Sequence, residues 1–235
     1  MNEIIFLILF FLAFVLQTIT GFAGTVMAMP PSMLLLGMDN AKVVLNAMAG
    51  LSGLLIAIQN YKSIHYRELI KMSSLMLVGQ LIGLKLYEIL AVDVLLTIYG
   101  VIVVGIGVKN ILYQKKMNLN IVSTILILVV AGVIHGMFVS GGALLVIYAV
   151  SAMEDKDVFR ATVAPIWVIL NSYMMVRYLQ DGMVNTENLR LIGLSIIPLI
   201  IAIVVGNYLQ KKINQEWFLK LTYILLIISG VSILI

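Results

Sequence analysis

Long apolar runs, poor in charge, alternate along this chain with short polar connections. The first series is Ile4–Gly37, Val43–Asn60, Leu69–Leu86 and Val94–Leu112. A second series follows: Ile121–Met153, Ala161–Met175, Leu191–Leu209 and Leu219–Ile235. A helix that crosses a bilayer needs about 20 predominantly apolar residues, so each run predicts one membrane span or more. Tyr61, Tyr66, Tyr87, Tyr113, Tyr178 and Trp217 fall near the ends of the runs, where amphipathic rings meet lipid headgroups. The connections reach only about a dozen residues, too short for an extramembrane domain.

The opening run of each series is too long for one crossing. Ile4–Gly37 would extend about 50 Å as a single helix against a hydrocarbon core of about 30 Å. It is interrupted at Gly21 and Gly24, and Ile121–Met153 is interrupted from Gly136 to Gly142. Each is therefore either a tilted rod or a pair of short helices folded back at the glycines. Basic residues arbitrate, because they accumulate on the cytoplasmic side. With two hairpins, Lys62, Arg67, Lys71, Lys109, Lys115, Lys116, Lys156, Arg160, Lys211, Lys212 and Lys220 share one face. Lys42, Lys85, Arg177 and Arg190 share the other, a split of eleven to four. With single crossings the split is eight to seven, so the hairpins are preferred.

A hairpin plus three spans crosses the membrane an odd number of times, which inverts the second half and leaves both termini outside. The expected fold is thus all-α: a polytopic transmembrane helical bundle of two inverted repeats, residues 1–116 and 117–235. The halves overlay weakly, Ile64–Leu69 on Val184–Leu189, Gly83 on Gly206 and Gly107 on Gly230. Internal duplication of this kind is frequent in secondary transporters.

Composition agrees with a lipid environment. The chain is 62% hydrophobic and 11% charged, with a mean hydropathy of +1.12, against about 25% charged residues in a soluble domain. The net charge of +4 sits between spans and reads as membrane orientation, not nucleic-acid binding. The start, Met1-Asn2-Glu3-Ile4, lacks a basic leader region, so the first apolar run is expected to be retained. Without cysteine there are no disulfides or thiolate metal sites.

Candidate chemistry concentrates at the two interruptions. The first supplies Gln17, Thr18, Thr20, Gly21, Gly24 and Thr25, the second His135, Gly136, Ser140, Gly141 and Gly142. A helix broken inside a bilayer survives only where protein or a water-filled cavity satisfies its amides. The second arm of each hairpin would begin there, its free N–H groups and positive dipole end turned inward, an arrangement that binds anions. Close helix packing by small residues is the competing reading for each cluster. Lys71, Lys85, Lys109 and Lys220 fall within three residues of a run's end, and His135 is taken as the one ionisable group inside the predicted spans. It either serves an anion or a proton, or is a neutral histidine bonded to a carbonyl. Asn46 and Thr162 would line a polar path or bond across helices, and packing is favoured for Asn171. Pro30 and Pro31 are expected to kink or start the short arm, and Pro165 and Pro198 to bend spans. No buried carboxylate, metal-ligand spacing or nucleotide loop is present, and Ser140 lacks a base other than His135. An enzyme, a cofactor and a metal are therefore not expected.

At the glycine clusters the chain resembles the TauE/SafE family of membrane permeases, also called toluene sulfonate uptake permeases. The resemblance rests on two four-segment halves, on Gly21-Phe22-Ala23-Gly24 with Pro30, on Gly136 and Ser140-Gly141-Gly142, and on Ala161-Thr162. It implies a carrier for sulfite, sulfonates, sulfoacetate or related small anions, with Gly21, Gly24, Gly136, Gly141 and Gly142 as site-forming turns. The expectation is a multi-pass secondary transporter of the cell membrane working by alternating access, with a homodimer as the candidate assembly. A channel-like anion pore and a non-transporting scaffold subunit are the alternatives.

Overall fold

The computed structural model describes residues 2–89 and 119–234, together with Val94, Thr97, Gly100, Val101, Val104, Gly105, Gly107 and Val108. For part of the last helix only the backbone is described. Most of the run Val94–Leu112 lies outside these residues, as do Lys109, Lys115, Lys116 and the expected boundary between repeats.

All described regular structure is helical. In chain order the helices are α1 (Asn2–Thr20), α2 (Ala23–Leu36), α3 (Met38–Gln59), α4 (Tyr66–Ile89), α5 (Ile121–Phe138), α6 (Gly142–Ala152), α7 (Lys156–Gln180), α8 (Thr186–Lys212) and α9 (Gln215–Leu234). Six of them, α1, α3, α4, α5, α7 and α8, are long and apolar enough to cross a membrane, and α2 and α6 are shorter apolar helices. The long helices of the second half start at polar caps. Asn120 accepts from Ser123 N–H, Asp155 from Asp157 and Val158 N–H, and Asn185 forms a reciprocal box with Asn188.

Pairing fixes the direction of each helix. Glu3 meets Arg190 and Thr18 meets Gly206, so α1 and α8 run parallel. Asn40 bonds Asn188 and Gln59 bonds Asn207, which aligns α3 with them. Asn46 reaches Asn171 while Gly53 packs on Ala164, so α3 and α7 are antiparallel. On the other side α4 and α5 run parallel: Gly132 packs on Met76 and Gly136 on Gln80. Since α1 and α3 begin at the same end of the bundle, α2 must return to the end from which α1 came. The unbroken rod is excluded, and the hairpin stands.

Among the described basic residues, Lys42, Lys85, Arg177 and Arg190 lie at that end. Lys62, Arg67, Lys71, Lys156, Arg160, Lys211, Lys212 and Lys220 lie at the other.

Two expectations need correction. The spans expected at Val43 and Ala161 begin earlier, at Met38 and Lys156, and so take Lys42 and Arg160 into helices that qualify as membrane spans. His135 is therefore not the sole ionisable residue within a span. Pro30 and Pro31 do not start the short arm, which begins at Ala23; they stand in its second half. Pro165 and Pro198 lie inside α7 and α8.

The α4–α5 seam is built on glycine. Gly79 and Gly83 on α4 face the backbone of Val129 and Val133, and Gly132 and Gly136 on α5 face that of Met76 and Gln80. Small residues four apart on both helices bring backbones into van der Waals contact, where lipid gives no hydrophobic drive. A Cβ on Gly132 would collide with the Met76 carbonyl, whereas Gly193 on α8 faces open space. Gly132→Ala is thus expected to cost about 1–3 kcal/mol of stability. Gly193→Ala should be neutral or stabilise by up to about 1 kcal/mol. Thermal denaturation of the two variants in detergent checks the contrast.

Candidate functional site

The first break is closed by its own side chains. Gly21 takes a left-handed φ of +85°, and its N–H still bonds Gln17 O at 2.7 Å. Thr20 Oγ1 donates to Leu16 O and accepts from Ala23 N–H at 3.1 Å and Phe22 N–H at 3.4 Å. Gln17 Oε1 accepts Gly24 N–H at 2.7 Å, seven residues on. That bond needs close approach: a Cβ on Gly24 would stand 2.7 Å from Gln17 Cβ. The expectation of free amides at this turn is thereby corrected. Thr20 and Gln17 act as caps for α2, as polar side chains do at helix starts.

The second break is different. Val139 is the one non-glycine residue with positive φ (55°) among those described, a costly conformation for a β-branched side chain. Its N–H bonds His135 O at 2.7 Å. Ser140 Oγ donates to Phe138 O at 3.0 Å and reaches Thr25 O at 3.4 Å. Gly141 is the N-cap residue of α6, so that position offers the helix start no side chain. The turns touch: a Cβ on Gly142 would lie 3.0 Å from Phe22 O, and one on Gly141 would lie 2.8 Å from His135 Cβ.

Trp167 of α7 ties the breaks together. Its indole N–H donates to Gly21 O at 2.6 Å, and its ring lies 5.4 Å from the His135 ring. On the far side of His135, Nε2 stands 3.0 Å from Asn171 Oδ1. Asn46 Nδ2 donates to Asn171 O at 3.0 Å, and Gln80 Nε2 to Leu170 O at 3.1 Å. Four buried polar atoms here have no partner: His135 Nδ1, Asn171 Nδ2, Asn46 Oδ1 and Gln80 Oε1. Leaving such an atom unmade costs about 1–3 kcal/mol. Donors and acceptors from α3, α4, α5 and α7 thus converge with unused capacity, which suits a polar guest.

Of the residues expected at the site, Gln17, Thr20, Gly21, Gly24, Thr25, Asn46, His135, Ser140, Gly141 and Gly142 gather around these turns. Three do not. Thr18 bonds Phe14 O and packs against Gly206 of α8. Gly136 faces α4, and Thr162 Oγ1 accepts His65 N–H in the connection before α4. Asn171, assigned to packing, does bond across helices, and it also holds His135. Trp167 and Gln80 were not anticipated. A tryptophan far from the end of its run was the available signal, since the interface is the usual place for that ring. Ser140 bonds carbonyls rather than His135, so the two do not form a nucleophile–base pair.

Neither a curated protein nor a solved structure matches the chain. One family model does, from residue 5 to residue 233. A broken-helix pair in a polytopic bundle, matched over nearly its full length, places the chain in the sulfite exporter TauE/SafE family, whose members are transporters and not enzymes.

Proposed function

We propose that this protein is a secondary transporter that exports a small oxyanion, sulfite or an organic sulfonate, by alternating access between two inverted repeats. The observation that carries the reading is the contact of two broken helices at Gly142 and Phe22, with a helix start whose N-cap is glycine on one side of it. The first turn of α6 presents main-chain N–H groups and a positive dipole end beside His135 and Ser140. Such a terminus favours an anion without demanding a formal cation. The Asn171 Nδ2 amide, the donor among the orphaned atoms, would add to the shell around the sulfite or sulfonate oxygens.

The repeat relation is supported by how the helices exchange partners. α1 packs on α8 as α5 packs on α4, and α3 packs on α7. Val15 O meets Gly206 as Val133 O meets Gly83. Opposite directions of α3 and α7 support inverted halves, and the basic excess favours a cytoplasmic position for the end holding Lys62 and Lys156. In the present state Gln17, Thr20, Asn46, His135 and Ser140 are all buried, as in a carrier closed at both ends. Rocking of one repeat against the other would open each side in turn.

Proteoliposomes loaded with sulfite test the reading. Saturable uptake of labelled sulfite, accelerated by sulfite on the opposite side, is expected. Flux without acceleration, or single-channel current, would mean a pore. His135→Ala should lower that flux about tenfold or more if its ring contacts the anion. Unchanged flux in folded His135→Ala protein would leave the cluster with packing alone. Trp167→Phe keeps the ring but strands the Gly21 carbonyl, and a stability loss of about 1–3 kcal/mol is expected in thermal denaturation.

A further inference from the structure

Two buried cations have no role in the site described. Lys42 on α3 is 1% exposed and Arg160 on α7 is 4% exposed. Each stands 21 residues after the left-handed residue of its break, Gly21 for Lys42 and Val139 for Arg160. Each also follows an aspartate by three residues, Asp39 and Asp157. The two cations thus hold equivalent places in the two halves, at opposite ends of the bundle.

A lysine one turn from the end of a membrane helix ordinarily extends to the headgroups. Lys42 instead turns inward. Its Nζ lies 3.4 Å from the centre of the Tyr87 ring and 5.7 Å from that of Tyr178. Among the described residues it makes no hydrogen bond and has no carboxylate within 4 Å; Asp39 is exposed. Tyr178, the second of these rings, carries a buried hydroxyl that also lacks a partner. An ammonium and a hydroxyl, held together by aromatic rings and short of an acceptor, are the complement of an oxyanion. Arg160 packs its stem against Gly21 and donates to Asn207 Oδ1 of α8. Its Nε is buried and unpartnered. Each cation feels an aspartate one turn away, Asp39 for Lys42 and Asp157 for Arg160, but among the described residues forms no ion pair with it. A buried charge so weakly compensated is expensive, more so in lipid, which makes a purely structural role a poor account of either residue.

We propose that Lys42 and Arg160 are matched way-stations for the transported anion, one on each side of the joined breaks, with Lys42 and the Tyr178 hydroxyl forming an oxyanion-binding site where α3 begins. The proposal rests on the transport reading above. An anion leaving the centre in either direction would pass one fixed positive charge, which lowers its desolvation barrier and repels cations. Because the stations serve opposite ends, their loss should show as sidedness.

Right-side-out and inside-out membrane vesicles, supplied with labelled sulfite, read this directly. Lys42→Met should raise KM about tenfold or more for sulfite offered at the Lys42 end and leave the other end nearly unchanged. Arg160→Met should do the reverse. Tyr178→Phe should follow Lys42→Met, and Lys42→Arg should keep KM within about threefold, since it keeps the charge. Equal effects at both ends, or none, would overturn the way-stations. Removing an unpaired buried charge should not lower the melting temperature, so a destabilised Lys42→Met with normal KM would also overturn them. If wild-type vesicles move no sulfite, the transport reading falls and thermal stabilisation of the purified protein by sulfite decides the binding site. Stabilisation abolished by Lys42→Met and Tyr178→Phe upholds it; stabilisation untouched by them, or absent from the wild type, overturns it.

Discussion

Every main-chain polar group inside a lipid bilayer must find its partner within the protein, and this architecture follows from the two places where a helix is interrupted under that rule. At the first, the chain answers from within the same hairpin and from α7. Thr20 and Gln17 take the amides that begin α2, and Trp167 takes the carbonyl of Gly21. At the second, α6 starts from a glycine N-cap, and polar atoms of the neighbouring helices are left with capacity to spare. On the proposed reading, the unequal treatment of two similar breaks separates a structural turn from a receptive one. It also explains the strain at Val139, a left-handed β-branched residue held in place by the contacts around it.

The hairpins are set against a stiffer frame. α3 and α7 cross antiparallel through the centre and supply Asn46, Asn171, Trp167, Lys42 and Arg160, while α4 and α8 clasp α5 and α1 from outside. Polar groups from the frame thus meet turns from the hairpins, and Trp167 is the one side chain described that bonds the first break while stacking beside the second.

Much of this was legible in the sequence. The breaks were visible because glycine is the residue that allows a reversal at close quarters, and the hairpins because lysine and arginine placement distinguishes one crossing from none. Membership in the TauE/SafE family was visible in the same glycine clusters. What was hidden has physical causes. Lys42 and Arg160 were taken as the ends of spans because charge normally marks a helix end in lipid; burial under Tyr87 and Tyr178, or against Gly21, depends on tertiary packing. The self-capping of the first break needs Gln17 to reach seven residues ahead, which spacing alone does not reveal. Gly136 looked like part of the turn, and only the register of α4 against α5 shows that it belongs to the seam.

That seam has a mechanical meaning. Where side chains interlock, two helices can shift only by unlocking many rotamers at once. Along Gly79, Gly83, Gly132 and Gly136 there are no such teeth, only one smooth main-chain surface against another. A joint of this kind resists pulling apart yet permits slip by a fraction of a turn, as a bearing does. The hairpin begun by α5 is therefore mounted on its neighbour by a contact that is tight in one direction and compliant in another.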